Sequence, residues 1–169
     1  MKKIIFLLNV LIVSATFAVA NPLEVEWQVC SYDSVNRISH CQFILTNTSD
    51  GAVTDNWAFY FNSFPRRYSP SAGAPITFET VQTGYFCVRP TAGFRLDAGK
   101  TVALNYEMVG MVNNLSYAPD GGHITFGDSA PEAAPIKHRP IALDINLRSA
   151  NFPTPQRLFD LYESVGGYG

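Results

Sequence analysis

From Leu23 onward apolar and polar residues alternate. Leu23, Val25, Trp27 and Val29 are apolar, and Glu24, Glu26 and Gln28 lie between them. Period two over seven residues predicts a half-buried strand. Residues 41–47 predict a second strand, with Phe43 and Leu45 pointing inward. Residues 56–63, NWAFYFNS, predict an aromatic strand. Successive side chains of a strand leave on opposite faces, so Trp57, Phe59 and Phe61 share one face and Tyr60 and Asn62 the other. Short strands are expected at 76–79 and 84–89, and a longer one at 101–110, where Val102, Leu104, Tyr106 and Met108 alternate. Weaker signals lie at 123–126 and 141–147. Residues 31–40 read as a polar hairpin loop, 48–51 as a turn, 65–75 as a loop and 90–99 as a turn-rich connection.

No ten-residue stretch before residue 150 carries a helical period. Many short strands with turn punctuation predict an all-β sandwich rather than a helical or βαβ fold. Residues 128–140 hold three prolines and the pair Ala133-Ala134, and read as an extended arm or linker. At 153–164 the pattern changes. Thr154 can cap a short helix with Pro155 in its first position, followed by Leu158, Phe159, Leu161 and Tyr162. The expected organisation is a sandwich over 21–127, then 128–169 as a linker and the beginning of a second domain.

Composition adds a compartment. Lys2 and Lys3 precede an almost wholly apolar run from Ile4 to Val19, closing in Ala18-Val19-Ala20. This is the form of a secretory signal peptide, cut after Ala20. The apolar core is shorter than a comfortable span of about 20 residues. Cleavage leaves 149 residues with ten basic and fourteen acidic side chains. The expected mature chain is mildly acidic, periplasmic or secreted from a bacterium, and without a membrane span. It lacks the basic surplus that neutralises a row of phosphates, which argues against a nucleic-acid partner.

An exported chain can keep a disulfide. Cys30 ends one alternating run and Cys41 opens the next. A Cys30–Cys41 bridge would close the hairpin loop between them, with a pairing of Cys87 as the competing arrangement. The two lie on opposite parities of their strands, so such a bridge needs a bulge or a loose strand end. No CxxC occurs, and His40, His123 and His138 are scattered, so no metal site and no cofactor are expected.

The segments Cys41-Gln42-Phe43-Ile44-Leu45-Thr46-Asn47, Trp57-Ala58-Phe59-Tyr60-Phe61 and Pro90-Thr91-Ala92-Gly93-Phe94, followed by Leu96, Gly99 and the strand through Tyr106, occur in that order. Over residues 23–112 this pattern resembles the N-terminal domain of bacterial chitobiases and β-N-acetylhexosaminidases, glycoside hydrolase family 20. The resemblance implies an immunoglobulin-like β-sandwich related to cellulose-binding modules, which in the family precedes a small α/β domain and a catalytic barrel. Thr154-Pro155-Gln156-Arg157-Leu158-Phe159 is similar to the lead-in of that second domain. Hydrolysis in the family uses an Asp-Glu pair in the barrel and the substrate's own acetamido group. This chain has no Asp-Glu dipeptide, and a barrel alone takes about 250 residues. The implied role is non-catalytic: a carbohydrate-binding accessory domain whose partners are a glycan with N-acetylhexosamine units and a hexosaminidase catalytic domain, with a structural domain that packs against a missing or separately encoded catalytic barrel as the alternative.

Candidate sugar contacts follow from parity and loop position. Trp57, Phe59 and Phe61 belong to the core, and Phe94 is expected to plug one end of the sandwich. Tyr60 and Asn62 face outward, and Arg66 and Tyr68 lie in the next loop, where binding residues concentrate. A tyrosine ring covers the C–H groups of a sugar while a neighbouring Arg or Asn takes its hydroxyls. Tyr85 and Phe86 alternate, so one is buried and the other is available to a partner.

Overall fold

The computed structural model describes residues 21–141. The expected signal peptide, the strand expected beyond residue 141 and the expected helix at 153–164 lie outside the described residues. Twelve strands run in chain order: β1 Leu23–Asp33, β2 Ile38–Asn47, β3 Val53–Thr54, β4 Trp57–Asn62, β5 Tyr68–Pro70, β6 Ile76–Gln82, β7 Tyr85–Pro90, β8 Arg95–Leu96, β9 Thr101–Val109, β10 Asp120–Phe126, β11 Glu132–Ala133 and β12 Ile136–His138. One 3-10 turn spans Leu115–Tyr117. One sheet has the order β12-β1-β2-β9-β5, the other β11-β10-β4-β7-β6, and β3 pairs with β8 in a small ribbon. The fold is the expected all-β sandwich.

The inward residues of the two sheets meet in one core. Phe43 lies 5.3 Å from Phe59 and 5.2 Å from Phe61 across the sandwich, and 5.1 Å from Tyr106 beside it, centroid to centroid. Aromatic pairs of this kind contribute roughly 0.5–1.5 kcal/mol beyond the area they bury. Tyr106 is buried, and its hydroxyl accepts a 2.7 Å hydrogen bond from the Trp27 indole. Trp57 is buried, and Phe94 closes on its edge at 5.5 Å.

A corner at the end of β2 joins the β3–β8 ribbon to the sandwich. Asn47 is fully buried, and its amide donates to the carbonyls of Gly51 (2.7 Å) and Leu96 (2.9 Å). Its oxygen accepts from the backbone N–H of Ser49 at 3.0 Å. Gly93 sits at φ 82°, where a side chain would be strained, and its N–H reaches Asp55 Oδ2 at 2.8 Å.

The strands extend further than the alternation alone predicts. The expected loop over 31–40 is mostly strand, because β1 and β2 stay paired to Asp33 and Ile38. Only a four-residue turn remains, held by Asp33 Oδ1, which accepts from the N–H groups of Val35 and Asn36. The expected loop over 65–75 contains β5, which pairs with β9. Part of the expected linker over 128–140 returns to the sandwich. There β11 pairs with β10, and β12 runs parallel to β1, with Val25 opposite Ile136 and Trp27 opposite His138. Two ion pairs fasten this edge, Lys137 to Glu24 at 2.8 Å and Arg139 to Glu26 at 2.6 Å.

The Cys30–Cys41 bridge is not formed, and all three cysteines are free. A bulge between Val29 and Ser31 leaves Cys30 without a partner in the ladder, while Cys41 pairs with Val29 and Tyr106. Cys41 is buried in the core and Cys30 is exposed. The bulge absorbs the parity mismatch without bringing the sulfurs together. Burial pushes the Cys41 thiol up to about 12 and raises Cys87 as well.

Two outcomes follow. One cysteine, Cys30, should react with a thiol reagent in the native protein and all three after denaturation, with no linked peptide in a map made without reduction. A linked Cys30–Cys41 peptide would contradict the packing described. Asn47→Ala removes the buried donor to the Leu96 carbonyl and one of two donors to the Gly51 carbonyl, and should lower stability by about 1–3 kcal/mol in urea titrations. A loss below half a kcal/mol would show that this corner is not a structural tie.

Candidate functional site

The inward residues of β4 fix what its outer face carries. With Trp57, Phe59 and Phe61 buried, Ala58, Tyr60 and Asn62 point away from the core. In register, Tyr60 stands opposite His123 of β10 on one side and Cys87 of β7 on the other. Asn62 pairs with Tyr85, and Ala58 with Thr125. Tyr60, Tyr85 and His123 therefore gather on one outer surface, each half-buried.

Their rings lie in nearly parallel planes. Tyr60 and His123 are 5.0 Å apart with 7° between planes, Tyr60 and Tyr85 are 5.9 Å apart at 19°, and Tyr85 and His123 are 6.1 Å apart at 21°. The Tyr85 hydroxyl and His123 Nε2 share a 3.1 Å hydrogen bond. Arg89 donates to the Tyr60 hydroxyl at 3.2 Å and faces Glu79 at 3.8 Å. These contacts hold three rings in fixed orientation without closing the surface. Asn62 and Asp120 flank it, exposed and opposite one another. Burial raises the Tyr85 phenol above its ordinary value, with Tyr60 and Cys87 adding to the shift. The Tyr85 hydroxyl therefore stays protonated over the neutral range.

The outer face of the other sheet differs. It carries Glu24, Glu26, Lys137 and Arg139 in ion pairs, and Gln28 bonded to Gln42 at 3.0 Å. Those charges satisfy one another. The ring-bearing face offers apolar area beside hydrogen-bonding groups, the combination that suits a neutral polar ligand.

The four residues expected from sequence divide between two places. Tyr60 and Asn62 stand on the ring-bearing face. Tyr68 does not: its ring is 4.4 Å from Phe86 and 5.9 Å from Phe78, and its hydroxyl donates to Ser63 Oγ at 2.7 Å. It belongs to the edge of the core, and burial pushes its phenol up to about 12. Arg66 packs over Phe64 (5.1 Å) and Tyr117 (4.6 Å) and donates to the carbonyl of Met111 at 3.0 Å. Both residues build one end of the sandwich. Sequence reasoning marked Tyr85 only as one of a pair and passed over His123 and Arg89. The inward parity of Ile124 and Val88 was the available signal, since it sends His123 and Arg89 outward.

No family model and no curated protein matches the chain. Among solved structures, a GH20 exo-β-N-acetylglucosaminidase from Vibrio harveyi, in complex with N-acetylglucosamine, is similar with a TM-score of 0.53 and 20% identity, over 72% of this chain and 18% of that one. A family GH18 chitinase from Chromobacterium violaceum is similar with a TM-score of 0.53 and 12% identity, over 71% of this chain and 20% of that one. The chain spans about a fifth of the length of either enzyme chain. At these identities the likeness is one of fold.

The buried phenols and thiol give a pH signature. Cys41 and Tyr68 ionise at about 12 in the folded chain against 9.0 and 10.0 when unperturbed, and Tyr106 is raised further by complete burial. Above pH 9 the unfolded chain therefore binds fewer protons than the folded one, and stability falls as pH rises. Urea midpoints should hold steady up to about pH 9 and drop progressively towards pH 12. A midpoint unchanged at pH 11 would contradict the burial of these groups.

Proposed function

We propose that this chain is a non-catalytic carbohydrate-binding-type domain, exported and freed of its first twenty residues by cleavage after Ala20. Its ligand is a glycan with N-acetylhexosamine units, of chitin type, taken on the outer face of β4, β7 and β10. The observation that carries this reading is the set of three near-parallel rings at Tyr60, Tyr85 and His123. Ring surface covers the C–H side of a pyranose, while Arg89 and Asn62 present hydrogen-bonding groups to its hydroxyl and acetamido substituents. The face is open and its polar contacts are few. After ordering costs, a dissociation constant of about 0.1–1 mM is expected for a short oligosaccharide. The sequence resemblance to the N-terminal domain of β-N-acetylhexosaminidases supports an accessory role beside a catalytic domain of that class.

A second reading rests on the opposite feature, an apolar end. Phe64, Val109 and Leu115 are 48%, 41% and 56% exposed, the first two in contact with Arg66. Such a surface suits a domain that shields or orients a catalytic barrel. The two readings assign different surfaces.

Retention on insoluble chitin separates them. Wild type should be retained, with Tyr60→Ala and Tyr85→Ala each reducing retention at least about fivefold, while Phe64→Ser and Leu115→Ser leave it unchanged. Wild-type protein that passes through the resin unretained would leave the packing role as the better account.

A further inference from the structure

We propose that the ring-bearing face continues into a second subsite, a hollow that takes the neighbouring residue of the same neutral glycan chain, with Arg89 placed between the two. The inference rests on the binding reading above and deepens it. The hollow has a volume of about 280 Å³ and is lined by Asp55, Asn56, Ala58, Arg89, Thr125 and Gly127, among others. It adjoins the rings on the same outer face. Ala58 is two residues before Tyr60 and Thr125 two residues after His123, and the two pair across the strands. Two residues along a strand is about 7 Å, so the sites are neighbours.

The hollow opens where Ala58, Thr125 and Gly127 are small beside taller neighbours, with Trp57, Arg89 and Pro90 completing its wall. Ala58, Thr125 and Gly127 follow the row of Tyr60 and His123, which makes a step down from the rings. A volume near 300 Å³ is the lower end for small-molecule sites and suits one pyranose ring. Its chemistry is mixed. Arg89 only donates, Asp55 only accepts, and Asn56 does both. Asp55 Oδ2 takes the Gly93 N–H, which leaves Oδ1 free to accept. Donors and acceptors together match hydroxyl and amide groups, and the Asp55 carboxylate repels an acidic sugar.

Arg89 belongs to both sites. It donates to the Tyr60 hydroxyl, lies near Glu79 and lines the hollow. Its guanidinium has five N–H donors, more than these contacts use. A ligand spanning the step would meet it at the link between consecutive sugars. The face thus reads a chain of at least two residues laid along β4.

Calorimetric or NMR titration with N-acetylglucosamine, chitobiose and chitotriose tests this. Wild type should bind chitotriose about tenfold more tightly than the monosaccharide. Thr125→Tyr, which fills the hollow with a good strand former, should bring chitotriose down to the monosaccharide's affinity and leave the monosaccharide within twofold. Asn56→Ala, a milder change that keeps the backbone contact to Gly127, should weaken chitotriose about threefold and the monosaccharide not at all. Tyr60→Ala should weaken every ligand. If both hollow variants retain the wild-type melting temperature and wild-type chitotriose affinity, the second subsite is wrong and the ring face stands. If Thr125→Tyr unfolds, Asn56→Ala alone decides on the same criterion. If wild type binds none of the three sugars, both the ring face and the second subsite are wrong.

Discussion

Phe43 touches rings from both sheets, and the sandwich closes around that contact. Phe59 and Phe61 meet it from across the core and Tyr106 from the neighbouring strand. Burying these rings fixes the parity of β2, β4 and β9 at once, since a slip of one residue would turn each strand's apolar set to water. The register that packs Phe59 and Phe61 also sends Tyr60 outward, and the matching burial of Ile124 sends out His123. The ring-bearing face is therefore a by-product of core packing as far as position goes. Only the identity of the outward side chains is free to vary, and at those positions this chain carries Tyr, His and Arg. Two of the polar side chains inside the core have partners. Tyr106 has the Trp27 indole, and the buried Ser39 hydroxyl donates to the Gly110 carbonyl and accepts from the Val112 N–H.

The segments that carry the family resemblance have a shared physical logic. Asn47 ties β2 to β8, Gly93 makes the turn that a side chain would strain, and Phe94 closes over Trp57. These residues specify the sandwich. Of the three rings on the outer face, Tyr60 lies within those segments, whereas Tyr85 and His123, and Arg89 beside them, come from strands outside them. A fold can thus be inherited with its signature while its surface chemistry is set elsewhere, which is why the likeness in fold and the choice of ligand are separate questions.

The alternation of β1, β2, β4 and β9 was legible because each strand has one dry face and one wet one. The core rings and the outward placement of Tyr60 and Asn62 followed directly. What was hidden depends on pairing between distant parts of the chain. Tyr68 sits in a Pro- and Ser-rich stretch with no alternation, and becomes a strand residue only because β9 offers its edge. Residues 132–138 are short, split by Pro135 and flanked by Pro131 and Pro140, so they do not signal strands, yet they complete both sheets. Tyr60 and His123 are 63 positions apart in sequence and 5.0 Å apart in space, a proximity that no local pattern carries. The bulge after Val29 is invisible for the same reason, because it exists only in the match between two strands.

The parallel pairing of β12 with β1 also decides how the domain carries load. The described chain enters the sandwich at the start of β1 and leaves it at the end of β12, and the two strands lie side by side in the same direction. Tension applied to those two points pulls the strands past one another lengthwise. The ladder from Val25–Ile136 to Trp27–His138, the backbone bond from Arg139 to Trp27 and the Glu24–Lys137 and Glu26–Arg139 pairs then resist in shear, all at once, instead of opening one after another as in a peeled hairpin.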